Sequence, residues 1–255
     1  MLPRDHLASA LRGAPKPAIV AFITAGYPER DGFLATLAEV ADVADAVEIG
    51  VPFTDPMADG VTIQRSSQTA LANGVSLHWI LDQLGSREIE LGAPVLLMSY
   101  LNPLLAFGFE ALAQRAADVG VSGFIVPDLP FEESGPLRAA LDVHGLALVQ
   151  LVTPATPPDR LTMLCEHSQG FVYAVTRTGI TGGGGSGELR GELAAYLATV
   201  SAASPLPVCA GFGVRDRQQV VTIGQHADGV IVGSALIEAL ERGESPAAFL
   251  KGLRP

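Results

Sequence analysis

Asp45-Ala46-Val47-Glu48-Ile49-Gly50-Val51-Pro52-Phe53-Thr54-Asp55-Pro56-Met57-Ala58-Asp59-Gly60 is the stretch on which the reading of this chain turns. It sets Glu48 inside an apolar strand and places Asp55 and Asp59 in the proline-rich loop that follows. Burying a carboxylate is costly unless its charge has a use. In a parallel barrel the carboxyl ends of the strands carry the chemistry, and a loop of this length folds Asp59 back toward Glu48. Two acids facing one pocket can divide the roles of proton transfer between them.

Outward from this stretch, apolar runs recur at 17–25, 45–51, 94–100, 123–127, 146–152, 170–175, 206–212 and 228–235. Between them, 30–43, 62–72, 109–118, 131–142, 158–167, 189–202, 215–225 and 235–242 have helical spacing. Strands alternating with helices imply parallel βα units, and eight such units close into a (β/α)8 TIM barrel of the α/β class. An extra N-terminal helix at 4–12 and a helical insertion at 76–91 leave that count intact. A chain of 255 residues suits one domain spanning 1–255.

The composition is 48% hydrophobic and 17% charged, as expected where many strands are buried on both faces. Twenty-seven acidic residues against 16 basic ones leave a net charge of −11, which disfavours nucleic acid and anionic membranes as partners. Cys165 and Cys209 show no metal-ligand spacing and suit a reducing compartment as packing thiols. No apolar run is long enough for a spanning helix, and the run 18–25 continues into Gly26-Tyr27-Pro28 like a strand entering a loop rather than a signal peptide. A cytoplasmic location is expected.

Gly211-Phe212-Gly213 after the seventh strand and Gly233-Ser234 after the eighth read as a two-piece phosphate cradle. Backbone N–H groups and a helix N-terminus supply its positive potential, so no basic side chain is required. A glycine pair alone is weak; the signal lies in both pieces following the last two strands, against the plain alternative of tight barrel turns. The run Gly182-Gly183-Gly184-Gly185-Ser186-Gly187 lies in a long connection that can act as a lid over substrate or as a solvent linker.

Each acid has a structural alternative as well. For Glu48 it is an ion pair with an arginine inside the barrel, and for Asp55 and Asp59 it is turn hydrogen bonds alone. Tyr173 in its strand is equally consistent with packing or with a pocket. Asn102 and Asp128, at strand ends, suit caps of the helices that follow them. The five histidines form no metal-binding motif, and Trp79 belongs to no basic-aromatic stripe.

These motifs together resemble the tryptophan synthase α-subunit family. The resemblance runs from Val47 to Gly60 and includes Phe22-Ile23-Thr24-Ala25-Gly26-Tyr27-Pro28, Tyr100-Leu101-Asn102-Pro103, Pro127-Asp128-Leu129-Pro130, Thr178-Gly179-Ile180-Thr181-Gly182 and Gly211-Phe212-Gly213, in the family's order over 17–236. It implies a lyase of tryptophan biosynthesis that cleaves indole-3-glycerol phosphate to indole and glyceraldehyde 3-phosphate without a cofactor of its own. By the same resemblance Glu48 shuttles protons and Asp59 is its partner acid, staying ionised to accept the indole N–H, while Glu48 has the higher pKa.

The resemblance also places Phe22, Tyr100, Tyr173 and Phe212 against the indole. It sets Gly182, Gly213, Gly233 and Ser234 on the phosphate, and Thr181 beside Asp59. Pro52, Asp55 and Pro56 then face a β subunit, a pyridoxal-phosphate enzyme that takes up the indole within an α2β2 tetramer. Two departures stand out: Val61 replaces the proline usual after Asp59-Gly60, and the glycine run 182–185 makes the lid more pliant. The competing readings are a stand-alone indole-3-glycerol phosphate lyase, a non-catalytic phosphate-binding barrel and an isomerase on the same barrel.

Overall fold

Eight short apolar strands pair side by side in chain order. They are β1 (Ala18–Thr24), β2 (Ala46–Gly50), β3 (Val95–Met98), β4 (Val121–Ile125), β5 (Ala147–Val152), β6 (Val172–Val175), β7 (Val208–Gly211) and β8 (Gly229–Val232). All pairings are parallel, and β8 returns to β1 to close the barrel. The computed structural model describes residues 1–88, 90–176, 187–211 and 213–255.

Twelve α-helices surround the barrel among the described residues. These are α1 (Pro3–Gly13), α2 (Phe33–Ala41), α3 (Val61–Ala72), α4 (Leu77–Ser86), α5 (Leu101–Phe107), α6 (Phe109–Asp118), α7 (Gly135–Val143), α8 (Pro158–His167), α9 (Gly187–Ala203), α10 (Arg217–Gly224), α11 (Ser234–Glu241) and α12 (Pro246–Leu253).

The two-residue period of the strands sorts their side chains into two cores. Val20, Ala46, Leu96, Ile125, Val149 and Ile231 fill the inside of the barrel. Val47, Ile49 and Leu97 point outward to meet helix residues such as Leu37, Leu81 and Leu236. Strands buried on both faces leave no place for surface charge, which accounts for the low charged fraction.

Helix α1 closes the amino end. Its Leu7 and Leu11 are fully buried and belong to the inner core, each contributing about 1.5–3 kcal/mol by burial. The Arg4 N–H donates to the Gly145 carbonyl at 3.0 Å, and a Cβ on Gly170 would come within 2.5 Å of Leu7 Cδ2. Gly145 and Gly170 precede β5 and β6, so α1 is packed at the bottom. The chemistry-bearing loops lie at the other end.

Several elements differ from the sequence-based expectation. Strand β4 starts at Val121, not 123: Ser122-Gly123 interrupts the apolar run, and the pairing with β3 continues across it with a register shift, Val95 facing Val121 and Leu96 facing Gly123. The segment 30–43 divides into a 3-10 turn at Arg30–Gly32 and α2. Helices α5 and α12 were not foreseen; both are short, with a proline in the first turn that reads in sequence as a break.

Asp128 does cap a helix, but not the one that follows it. Its Oδ1 accepts the Leu101 N–H at 2.9 Å, fixing the start of α5 from the loop after β4, and Asn102 lies inside α5 rather than capping anything with its side chain. Among the described residues no helix is long and apolar enough to cross a membrane, and no group of three or more His, Cys, Asp or Glu side chains is placed to hold a metal ion. Cys165 and Cys209 are buried, and burial pushes both thiols up from their ordinary pKa.

Candidate active site

Alternation along β2 decides the position of Glu48. Val47 and Ile49 face the helices, so Ala46 and Glu48 face inward. Register sets Phe22 of β1 and Leu96 of β3 beside Glu48. The Phe22 ring fits because β2 ends in glycine: a Cβ on Gly50 would come within 2.4 Å of Phe22 Cζ.

Glu48 is fully buried, and neither of its carboxylate oxygens has a hydrogen-bond partner among the described residues. The structural alternative, an ion pair with a buried arginine, is therefore not what these residues form. Desolvation pushes its pKa up to about 8, so the carboxyl is mainly protonated at neutral pH.

Asp59 is reached by a pinned loop. Its N–H donates to the Pro56 carbonyl at 3.1 Å, and its own carbonyl accepts the Gln64 side-chain amide at 2.9 Å. The Tyr100 hydroxyl donates to Asp59 Oδ2 at 3.1 Å and accepts the Ala58 N–H at 2.9 Å. Phe53 stacks on the Tyr100 ring at 5.1 Å between centroids, holding that phenol in place. Partial burial lifts the Asp59 pKa to about 6, against the lowering effect of the Tyr100 hydrogen bond, which leaves it mainly ionised at neutral pH.

Both acids line one cavity of about 460 Å³. Phe22, Met98, Tyr173 and Ile231 form its apolar walls, and Gly213, Gly233 and Ser234 lie along its rim. The Tyr173 phenol is held well above its ordinary pKa, first by burial and then by the negative charge of Glu48 and Asp59, as expected of a group between the two. A Cβ on Gly211 would meet Tyr173 Oη at 3.0 Å and Ile231 Cβ at 2.7 Å, so glycine there makes room for the phenol.

The rim is built for an anion. Gly213 follows β7 in the left-handed conformation, with φ of 79°, and Gly233 is the N-cap of α11. The first amides of a helix have no partner within it and carry its positive end. One side of the cavity can therefore move protons while the other holds a negatively charged group.

Comparison with known proteins agrees with this geometry. The model of the family described as tryptophan synthase alpha chain matches residues 9–251. The chain belongs to the tryptophan synthase alpha chain family. A tryptophan synthase alpha chain from Desulfovibrio desulfuricans is 44% identical over 244 residues, covering 94% of this chain and 95% of the relative. One from Solidesulfovibrio magneticus is 44% identical over 238 residues, covering 93% and 92%.

Among solved structures, tryptophan synthase subunit alpha from Legionella pneumophila superposes with a TM-score of 0.88 at 32% identity, covering all of this chain and 97% of that one. An aminoacrylate-bound tryptophan synthase from M. tuberculosis gives 0.87 at 34% identity, covering 99% and 98%. As a member of the tryptophan synthase alpha chain family, this chain is a lyase acting on indole-3-glycerol phosphate in tryptophan biosynthesis.

Of the residues expected at the alpha-chain site, Phe22, Glu48, Asp59, Tyr173, Gly213, Gly233 and Ser234 converge on the cavity. Tyr100 stands behind Asp59 and lines a small adjoining pocket with Phe22. Thr181, Gly182 and Phe212, together with the glycine-rich lid, lie outside the described residues. Of the expected partner-facing residues, Asp55 is exposed and Pro56 half-buried, whereas Pro52 is buried within the chain.

Met98, Ile231 and Arg215 also line the cavity and were not foreseen. Inward alternation with Gly229 along β8 could have marked Ile231. Nothing local marks Arg215, a cation beside a cradle whose backbone amides require none.

Proposed function

We propose that this alpha chain cleaves indole-3-glycerol phosphate by a retro-aldol reaction in which Glu48 carries the proton and Asp59 holds the indole nitrogen. The observation that carries the reading is the pair itself: a buried neutral carboxyl and a half-buried ionised one face a single cavity. Their environments push the two pKa values apart, as acid and base roles require.

The ionised Asp59 accepts the indole N–H. The Glu48 carboxyl donates its proton to indole C3, and positive charge develops on the ring nitrogen against the Asp59 carboxylate. Glu48, now a carboxylate, takes the proton of the glycerol hydroxyl on the carbon attached to C3. The oxygen electrons form the aldehyde, and the carbon–carbon bond pair returns to the ring and neutralises the nitrogen. Glu48 ends protonated, so the cycle closes. Each transfer contributes about 10² to 10⁴ in rate, or roughly 3–5 kcal/mol.

Phe22 and Tyr173 pack the indole, joined by Met98 and Ile231, while Tyr100 supports Asp59 from behind. Gly213, Gly233 and Ser234 hold the phosphate, joined by Gly182. The resemblance adds Thr181 and Phe212 to the same pocket. The chain works as one domain over 1–255, in the cytoplasm, without a metal or cofactor of its own. Its partner is a pyridoxal-phosphate β subunit in an α2β2 tetramer, met by the loop carrying Pro52, Asp55 and Pro56, whose Met57 is 88% exposed.

Purified chain incubated with indole-3-glycerol phosphate should release indole, faster when a β subunit is added. Glu48→Gln and Asp59→Asn should each abolish release with the far-UV circular dichroism unchanged. Turnover at the wild-type rate in either variant rejects the roles given to these acids; no association with the β subunit in sedimentation favours the stand-alone lyase.

A further inference from the structure

Arg215 is the one cationic side chain among the described residues that line the cavity, in a chain of net charge −11 whose pocket already holds two acids. Its guanidinium forms an ion pair with Glu238 of α11. Glu238 lies four residues after Ser234, hence on the same helix face and about one turn from the amides at the rim. The arginine therefore reaches from the loop after β7 to the second turn of α11, the helix whose N-terminus lies at the cavity.

The root of this side chain is fixed. The Arg215 N–H donates to Gln219 Oε1 at 2.6 Å, and Asp216 caps α10 by accepting the Gln219 N–H at 2.9 Å. The other oxygen of Glu238 accepts the Thr62 hydroxyl at 3.1 Å, three residues beyond Asp59. One carboxylate thus joins the two sides of the cavity mouth. The arginine side chain is about half exposed, at 53%, so its ion pair with Glu238 is weak and exchangeable.

We propose that Arg215 is a phosphate-binding and specificity-determining residue, selecting phosphorylated over unphosphorylated indole glycerol, with Glu238 positioning it at the rim until substrate arrives. This rests on the reaction proposed above. A phosphate dianion carries more charge than a carboxylate and presents more acceptor oxygens to the guanidinium fork, so it displaces Glu238 as the preferred partner. The backbone amides set the phosphate's place, and Arg215 supplies the attraction that offsets the chain's negative charge.

Calorimetric titration with glycerol 3-phosphate, at low and high ionic strength, tests the assignment on the full chain. Arg215→Gln should weaken binding roughly ten-fold at low salt, with the gap narrowing at high salt, and Arg215→Lys should recover part of the loss. With indole-3-glycerol phosphate, KM should rise by a similar factor while kcat changes far less. Equal affinity in wild type and Arg215→Gln, or no binding by the wild type, overturns the assignment. A wild type that releases no indole yet loses glycerol 3-phosphate affinity on Arg215→Gln rejects the reaction and retains the arginine.

Discussion

Tyr100 donates its hydroxyl proton to Asp59 Oδ2 at 3.1 Å while its own Oη accepts the Ala58 N–H at 2.9 Å. One phenol thus secures both the charge of Asp59 and the backbone that presents it. Its own pKa is pushed far up, chiefly by burial and then by the adjacent Asp59 charge, so it stays a donor. Glu48 has no such partner among the described residues. This asymmetry separates an acid that is held ionised from one that is left neutral.

Replacing Tyr100 by Phe removes a donor to the charged form of Asp59, and its pKa should rise above about 6. The expected result is a loss of roughly ten-fold in kcat/KM at neutral pH, partly recovered at higher pH. An unchanged acidic limb in the pH profile would show that the hydrogen bond does not tune Asp59.

The first step of the proposed cleavage needs Asp59 ionised and Glu48 protonated. With pKa values of about 6 and about 8, kcat/KM should rise with pH through the lower value and fall through the upper one. The two limbs belong to the pair as apparent values. Initial rates of indole release across this range give the profile, and a flat response from pH 5 to 9, roughly one unit beyond each limb, would contradict the proton inventory.

The same burial has a cost in stability. Between about pH 4.5 and about 8 the folded chain keeps a proton on Glu48 that the unfolded chain has released. The contribution is full below the lower value and is lost as pH rises through the upper, at up to about 1.4 kcal/mol per unit. Glu48→Gln removes this loss. Urea unfolding should show the variant gaining several kcal/mol on wild type between the two ends of that window; parallel behaviour at both ends would mean that Glu48 is solvated.

Gly50→Ala drives a methyl group into the Phe22 ring, 2.4 Å from Cζ. Overpacking of this kind should destabilise the chain by about 1–3 kcal/mol and raise KM as the apolar wall shifts. Trimming the ring with Phe22→Leu in the same chain should restore part of the stability. A double-mutant cycle by thermal unfolding measures the coupling, and simple additivity would place the two residues out of contact.

The barrel was legible because its periods are local. Val47, Glu48 and Ile49 alternate within five residues, and the helical spacing of 62–72 and 158–167 names its own buried face. Helices α5 and α12 were not legible, because each is short and carries a proline at its start, and α5 takes its cap from Asp128 in the loop after β4. The convergence of Glu48 and Asp59 was readable from a single strand–loop unit. The convergence of Asp59 with Tyr100 was not, since 41 residues separate them.

Sequence alone marked Glu48 and Asp59 as candidate acids and set the strand face that Glu48 occupies, because alternation and loop position depend only on neighbours in the chain. Closure of the barrel decided what those side chains meet. It left Glu48 without a partner among the described residues, hung Asp59 on a tyrosine from the loop after β3, and brought Arg215 and Thr62 to opposite oxygens of Glu238. Desolvation and hydrogen bonding, which set the two pKa values, act through space between residues far apart in the chain, so they exist only once the strands have met.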